Sequence, residues 1–134
     1  MKVVAKALIT DFDGKLLLLY RGMTHPNFPG HLDLPGGTIE DGEKWIDAVA
    51  REIGEETAIQ TDSTLLEKVL EKQYPDVIHV LYTTTLPLNP PEISLSWEHS
   101  SYEWLTKETL LQTQLPLGTD RYYLDVIEYL KTAA

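Results

Sequence analysis

The stretch "GGTIEDGEKWIDAVAREIGEETAI", residues 36–59, concentrates acidic side chains on what its pattern predicts to be one helix. Apolar residues recur in it at helical spacing, which predicts a helix from about Gly42 to Thr57 with Asp41 as its N-cap. These apolar positions are Trp45, Ile46, Val49 and Ile53.

Three glutamates on this helix, Glu52, Glu55 and Glu56, fall on a face about 100° wide. Each like-charge pair disfavours the helix by about 0.2 to 0.5 kcal/mol, and Gly54 costs about 1 kcal/mol relative to alanine. A hard divalent cation such as Mg²⁺, which takes carboxylate oxygens and substrate phosphates as ligands, would explain the cluster. From spacing alone, a solvated acidic face is an equally good interpretation.

A second row on the helix, Glu43, Asp47, Arg51 and Glu55, advances by four residues at each step. Arg51 can therefore pair with Asp47 and Glu55 on either side, and we expect it to orient the acidic cluster. The alternative is an ordinary surface row of ion pairs, which contributes little to stability.

The flanking sequence predicts a mixed set of strands and helices. Residues 16–19 are continuously apolar, which indicates a central strand covered on both faces. The segment 63–75 is ambiguous between helix and strand. Before the acidic helix, the sequence predicts strands at 3–11 and 14–21 joined by a turn at Asp13-Gly14, a loop at 22–31, an extended piece at 32–34 and a Pro35-Gly36-Gly37 turn. After it, the sequence predicts a strand at 76–86, a loop at 87–92, a strand at 102–105, a short helix at 106–112 and an amphipathic helix at 120–132. This order predicts an α/β sandwich with a mixed sheet between helices.

Composition narrows the class of protein. The length of 134 residues fits one domain, 1–134, and the absence of cysteine excludes disulfides and thiolate sites and suits a reducing compartment. The N-terminus is interrupted by Lys6 and does not resemble a signal peptide, and no apolar run is long enough for a membrane span. A net charge of -10 opposes binding to nucleic acid polymers or acidic lipid. We expect a cytoplasmic protein, a monomer or a homodimer, with no membrane or nucleic acid partner.

The acidic helix resembles the Nudix box, G-x5-E-x7-R-E-U-x-E-E-x-G-U, where U is a bulky aliphatic residue. Eight of its nine specified positions match at the right spacing: Gly37, Glu43, Arg51, Glu52, Ile53, Glu55, Glu56 and Ile59. The last box glycine is replaced by Ala58, which would be strained at positive φ. The preceding "LPGG", the chain length and the element order are also similar to Nudix hydrolases of the MutT-like group.

This resemblance implies a Nudix-like α/β/α sandwich with a mixed β-sheet and a loop-helix-loop catalytic motif. It implies hydrolysis of a nucleoside diphosphate linked to another moiety, with Mg²⁺ or Mn²⁺ and water attack at phosphorus. Glu52 and Glu56 would be metal ligands, joined by Glu55 and by the backbone carbonyl of Gly36 or Gly37, and Glu43 and Arg51 would orient the others.

The resemblance leaves the general base open. It is a glutamate of the box, Glu52 or Glu55, or a glutamate on a distant loop, for which Glu98 is the candidate, as the base or as a further ligand. A solvated loop position is the alternative for Glu98. For the neighbouring His99, a capping or surface role fits as well as a catalytic one.

The loop before the box contains the residues that we expect to contact the substrate. Arg21, at the end of an apolar strand, is the cation expected near a phosphate, although an exposed strand-end arginine is an equal alternative. Leu34 lies where this family often lines the nucleotide pocket. Four aromatic residues could stack on a base or could instead pack in the core or at the rim: Phe28, Tyr74, Tyr82 and Trp97.

The function most consistent with these patterns is hydrolysis of a (deoxy)nucleoside triphosphate, a small-molecule substrate, to the monophosphate and pyrophosphate. The alternatives are an ADP-ribose or nucleotide-sugar pyrophosphatase, a nucleotide-sensing binding module without turnover, and an acidic structural domain.

Overall fold

The computed structural model describes residues 1–88, 92–114 and 120–133, and across these residues the chain forms seven strands and three α-helices. In chain order they are β1 (Lys2–Thr10), β2 (Leu16–Arg21), β3 (Leu32–Asp33), β4 (Gly36–Thr38), α1 (Trp45–Thr57), β5 (Glu67–Gln73), β6 (Val77–Thr85), β7 (His99–Leu105), α2 (Lys107–Gln112) and α3 (Arg121–Thr132). A short 3-10 helix, Ser63–Leu65, precedes β5.

The strands form one mixed sheet in the order β3-β2-β1-β6-β5, with β4 paired to β1 and β7 paired to β2. The long central pair, β1 and β6, is parallel, and the other pairs are antiparallel. The mixed sheet expected from the sequence is therefore confirmed.

The sheet opens into two arms between β1 and β2. Within the described residues these strands pair at Thr10 and Leu16, next to their connecting turn, and then diverge. One arm consists of β1 with β4, β6 and β5, and the other of β2 with β3 and β7. The divergence leaves a gap that opens at the ends of the strands, and this gap becomes the candidate active site.

Gly36 belongs to a strand, so the turn predicted at Pro35-Gly36-Gly37 is wrong. It pairs with Lys6 on β1, where a β-carbon would lie 2.4 Å from the carbonyl oxygen of Ala5. Its φ of +129° is also one that other residues rarely adopt. A glycine therefore lets β4 and the acidic helix approach β1 closely.

Helices cover both faces of the sheet and bury a separate apolar core on each side. The alternation along β2 divides its leucines, since Leu17 and Leu19 pack with α1 while Leu16 and Leu18 pack with α2 and α3. The predicted central strand at 16–19 and the α/β/α arrangement are thus confirmed. Along α3, Tyr122, Val126 and Leu130 are buried and Tyr129 is half-buried, so one side of the helix faces the core, as the predicted amphipathic helix requires.

Helix α1 begins at Trp45, three residues later than predicted, and the prediction of Asp41 as N-cap is wrong. Gly42 has φ of +88°, which no right-handed helix accommodates, and Lys44 occupies the N-cap position without a side-chain capping bond. At the other end Ala58 adopts the left-handed conformation, φ 65°, and its N–H donates to Gly54 O at 3.0 Å. The chain thus carries alanine where helix ends favour glycine.

The structure also assigns the segments whose secondary structure or limits the sequence did not determine. The ambiguous stretch 63–75 contains the short 3-10 helix and strand β5, and the strand predicted at 102–105 extends over His99–Leu105. The loop predicted at 87–92 falls partly outside the described residues. Within the described ranges, no helix combines the length and apolar character that a membrane crossing requires.

Candidate active site

Glu52 and Glu56, one turn apart on α1, form a pair of carboxyl groups against the opening of the sheet. Glu56 is 2% exposed and accepts a hydrogen bond from the N–H of Gly36 at 3.3 Å. Burial raises the pKa of Glu56 to about 9, against the opposing charge of Lys6 and with contributions from Asp33 and from a hydrogen bond with Glu52. A buried carboxyl group held beside a second one is a place where a cation is favoured.

The chemistry of this pair fits a hard divalent cation, since carboxylate oxygens are the ligands that Mg²⁺ prefers and its charge would relieve the repulsion. Across residues 1–88, 92–114 and 120–133, however, no group of three or more His, Asp or Glu side chains is arranged to hold a metal ion. Ligands beyond Glu52 and Glu56 would come from backbone carbonyls, substrate phosphates, water or a side chain that turns toward the pair.

Arg51 holds the neighbouring acids in a fan on the solvent side of α1. Its guanidinium donates to both oxygens of Glu43, at 3.1 and 3.0 Å, to both oxygens of Glu55, at 3.0 and 3.1 Å, and to Glu52 at 3.3 Å. Hydrogen bonds to Glu43 and Glu55 raise the pKa of Arg51 above its ordinary value. The predicted pairing of Arg51 with Asp47 is wrong, because Glu43 from the preceding loop takes that place.

This arrangement separates Glu55 from Glu56. Its carboxylate is 57% exposed and is engaged by Arg51, whereas Glu56 is buried on the sheet side. The structure therefore brings Glu52 and Glu56 together, and a role for Glu55 as a third ligand or as the base stays a prediction.

A cavity of about 470 Å³ occupies the opening between the two arms of the sheet, and we call it the first cavity. Gly36 and Gly37 border it on one arm, and Arg21 and Glu98 border it on the other. The backbone N–H of Gly22 donates to the carbonyl of Glu98 at 2.9 Å and fixes this loop. Gly37, predicted as a metal ligand, Glu98, predicted as the base or a ligand, and Arg21, predicted as a phosphate contact, thus line the same cavity.

Asp33 is the centre of a buried ion-pair cluster that the sequence analysis missed. Its two oxygens accept from Lys6 Nζ at 2.7 Å and Arg21 Nε at 3.2 Å, lie 2.6 Å from His99 Nε2, and accept from the Tyr123 hydroxyl. Burial alone would raise the pKa of Asp33, but these partners hold it well below its ordinary value. The signals in the sequence were two charged residues with apolar neighbours: Lys6 within β1, and Asp33 between Leu32 and Leu34.

The cluster places cationic charge at the floor of the first cavity. Lys6 and Arg21 are both buried, line the cavity and share one carboxylate, that of Asp33, so this cluster holds two cations and one anion. Burial would lower the pKa of Lys6, but Tyr123 and Asp33 raise it above its ordinary value. The alternative of an exposed strand-end Arg21 is therefore wrong, and the cavity suits an anionic ligand.

His99 is buried, so the capping or surface role considered for it is wrong. Its Nε2 bonds Asp33, and its Nδ1 is enclosed without a partner among the described residues. It supports Asp33 from strand β7 and lies behind the cavity wall.

Of the six candidates predicted on the substrate side, two line the first cavity and four do not. Arg21 and Phe28 line the first cavity, and the Phe28 ring lies 5.6 Å from the Arg21 guanidinium. Leu34 and Tyr82 do not line it: they belong to the α3-side core and the α1-side core, with 1% and 5% exposure. The prediction that they contact substrate is wrong: the Tyr82 side chain points from β6 into the layer beneath α1, and Leu34, which directly follows β3, packs beneath α2 and α3.

The other two aromatic candidates lie elsewhere. Trp97 is 71% exposed on the loop before β7, and Tyr74 packs against His79 beside α3. Phe28 is thus the aromatic residue of the four that faces the first cavity.

Known proteins resemble this chain over nearly its full length. The family model described as NUDIX domain matches residues 1–126. Nucleoside triphosphatase NudI of Escherichia coli O17:K52:H18 is 30% identical over 118 residues, covering 80% of this chain and 84% of that protein. The crystal structure of a MutT protein from Methanosarcina mazei Go1 superposes with a TM-score of 0.76 at 28% identity, covering 96% of this chain and 91% of that one.

A further solved structure supports the fold alone. The NUDIX domain of NrtR from Shewanella oneidensis, in complex with ADP ribose, superposes with a TM-score of 0.70 at 24% identity, covering 96% of this chain and 85% of that one. Together, the family match over residues 1–126 and the box residues on α1 show that the chain belongs to the NUDIX family and is a MutT-like Nudix hydrolase.

Proposed function

We propose that this protein hydrolyses nucleoside triphosphates to the monophosphate and pyrophosphate with Mg²⁺ or Mn²⁺. The observation that carries the proposal is the Glu52–Glu56 pair beside a cavity whose floor is cationic. A divalent ion and a polyphosphate chain satisfy these two features together, since the ion balances the carboxylates and the phosphates meet Lys6 and Arg21.

Glu52 and Glu56 would hold the ion, with the carbonyl of Gly36 or Gly37 and with Glu98 or Glu55 as further ligands. When bound, such an ion neutralises phosphate oxygens and makes water more acidic. Arg51 keeps Glu52 and Glu43 in fixed orientations through its hydrogen bonds.

The residues of the first cavity position the substrate and accept the proton. Arg21 directs charge toward a phosphate group, and the Phe28 ring provides an apolar wall. As water attacks phosphorus, the new P–O bond forms, the anhydride P–O bond breaks and pyrophosphate leaves. The proton passes to a carboxylate: Glu98, which lines the cavity and is partly exposed, or a glutamate of the box, Glu52 or Glu55.

Support for this substrate class comes from the similarity to nucleoside triphosphatase NudI at 30% identity. The ADP ribose bound by the NrtR domain belongs to a structure 24% identical to this chain, so it carries no weight for the substrate. Cleavage of ADP-ribose or a nucleotide sugar, and nucleotide binding without turnover, are outcomes that the assay separates.

The test is a panel of ribonucleoside and deoxynucleoside triphosphates, ADP-ribose and nucleotide sugars incubated with Mg²⁺, with products identified by phosphorus NMR and chromatography. We expect monophosphate and pyrophosphate from at least one triphosphate, and a rate at least a hundredfold lower for Glu56→Gln. Glu128→Gln, an exposed carboxylate on α3, is the matched control. Folded protein that turns over no triphosphate contradicts the proposal, and a nucleoside monophosphate plus a sugar phosphate as the sole products reassigns the substrate.

A further inference from the structure

A second cavity, of about 480 Å³, lies beside the first on the α3 side of the sheet. It is bounded by the beginnings of β1, β6 and α3, and both cavities are lined by Lys2, Val4 and Asp120. Because they share these residues, the two cavities are adjoining halves of one groove. A substrate that binds its phosphates in the first half and is longer than that half would enter the second.

The second cavity contains a histidine fixed by a buried carboxylate. His79 on β6 lines the cavity, and its Nδ1 lies 2.7 Å from Oδ2 of Asp125 on α3. The rings of Tyr74 and Tyr122 meet the imidazole edge-on, each with a centroid separation of 5.1 Å. The imidazole is thus held in one orientation by packing on two sides and by a hydrogen bond on a third.

Asp125 is surrounded by donors. It accepts from the Tyr74 hydroxyl at 2.8 and 2.9 Å and from Lys72 Nζ at 3.2 Å, the latter on Oδ1. Burial would raise the pKa of Asp125, but the hydrogen bonds from His79, Tyr74 and Lys72 lower it. Asp125 is therefore an ionised acceptor at neutral pH.

The carboxylate fixes the tautomer of the imidazole. An ionised carboxylate can only accept, so in a neutral His79 the proton resides on Nδ1 and Nε2 keeps its lone pair. The ring can then accept a hydrogen bond from a ligand and cannot donate one.

We propose that His79 is a specificity-determining residue, whose Nε2 accepts a hydrogen bond from an amino group on the nucleobase of the substrate. This inference rests on the proposed nucleotide hydrolysis. Between two nucleotides that differ by amino or oxo at one ring position, the groove selects the amino form, because an oxo group would face the lone pair of Nε2. Arg121 and Asp76 line the second cavity and hold Tyr74 against His79: the Arg121 guanidinium stacks 4.0 Å from the Tyr74 ring and pairs with Asp76 at 3.1 Å.

The substitution Asp125→Asn tests the tautomer directly. Because Lys72 donates to Oδ1, the amide oxygen stays there and the amide nitrogen takes the place of Oδ2, next to His79 Nδ1. The amide donates to Nδ1, which moves the imidazole proton to Nε2 and converts an acceptor into a donor. The ratio of kcat/KM for ATP over ITP, or for CTP over UTP, is about tenfold or more in the native protein and falls below one in the variant.

Glu128→Gln is the matched control, since it removes the same charge from an exposed position on the same helix and leaves the ratio unchanged. If Asp125→Asn does not fold, His79→Phe replaces it: this variant loses the preference for the amino nucleotide and retains turnover of the oxo nucleotide. Turnover with the amino preference intact in either variant overturns the inference.

Nitrogen-15 NMR of the His79 ring gives a readout that does not need turnover. We expect Nδ1 protonated and Nε2 unprotonated in the native protein, the reverse in Asp125→Asn, and a shift of Nε2 on addition of ATP or CTP that ITP or UTP does not produce. A native ring protonated at Nε2, or an Nε2 unaffected by every nucleotide, overturns the inference. Absence of turnover together with the expected Nε2 shift counts against the proposed hydrolysis alone.

Discussion

Replacing Glu56 by glutamine should stabilise the metal-free protein while abolishing its activity. Glu56 is 2% exposed and lies against Glu52, so its charged form is disfavoured in the folded state. Glutamine keeps an oxygen to accept the N–H of Gly36 and carries no charge. The substitution therefore removes the electrostatic cost and keeps the hydrogen bond.

The size of the effect follows from the pKa of Glu56, which is about 9 in the folded protein against an ordinary value of 4.5. A raised carboxyl pKa leaves stability intact below about pH 4.5, and the stability is lost progressively as the pH rises toward 9. At about 1.4 kcal/mol per pH unit, the loss between pH 4.5 and pH 7 is about 3.5 kcal/mol. The free energy of unfolding of Glu56→Gln at pH 7 should therefore exceed that of the native protein by this amount.

The assay is urea unfolding in EDTA at several pH values between 4 and 9. We expect no difference at pH 4 and a difference that widens with pH, with Glu56→Gln more stable than the native protein. Glu55→Gln, an exposed neighbour, should change stability by about 0.5 kcal/mol or less. A variant that is less stable than the native protein at pH 7, or a difference independent of pH, refutes the reasoning.

Three further predictions concern other parts of the site. Ala58→Gly removes the strain of an alanine in the left-handed conformation at the end of α1. After subtraction of the cost of glycine's greater chain entropy in the unfolded state, the free energy of unfolding should rise by about 0.5 to 1 kcal/mol in urea unfolding; a loss of stability contradicts this. Asp33→Asn leaves Lys6 and Arg21 buried without their counter-charge and should destabilise by about 3 to 5 kcal/mol in the same assay, whereas a change below 1 kcal/mol would show that the cluster is not tightly coupled. Arg51→Ala frees Glu52 and Glu43 and should lower kcat/KM about 10- to 100-fold with little change in unfolding free energy, and an unchanged kcat/KM argues against the orienting role.

The acidic helix could be predicted from the sequence because its signals are local. Helical spacing fixes which side chains share a face of α1, and the box spacing fixes which of them resemble metal ligands. The start of α1 could not be placed, because the turn at Gly42 depends on a backbone conformation that spacing does not report. Boundaries set by φ and ψ therefore need the structure.

The cluster around Asp33 depends on contacts between distant parts of the chain. Lys6 lies 27 residues before Asp33, and Tyr123 lies 90 residues after it. No pattern in one sequence joins them, since the pairing appears only when β1, β3 and α3 meet at the opening of the sheet. For the same reason the sequence does not show that Leu34 and Tyr82 pack in the two cores, which form only when the helices cover the sheet.

The most direct test of the account is Mn²⁺ binding, followed by electron paramagnetic resonance in the native protein, in Glu56→Gln and in Glu128→Gln. The central claim is that Glu52 and Glu56 form the divalent-cation site. We predict that the native protein and Glu128→Gln bind Mn²⁺ with the same affinity and that Glu56→Gln binds it at least tenfold more weakly. Equal Mn²⁺ affinity in Glu56→Gln and the native protein would contradict the claim.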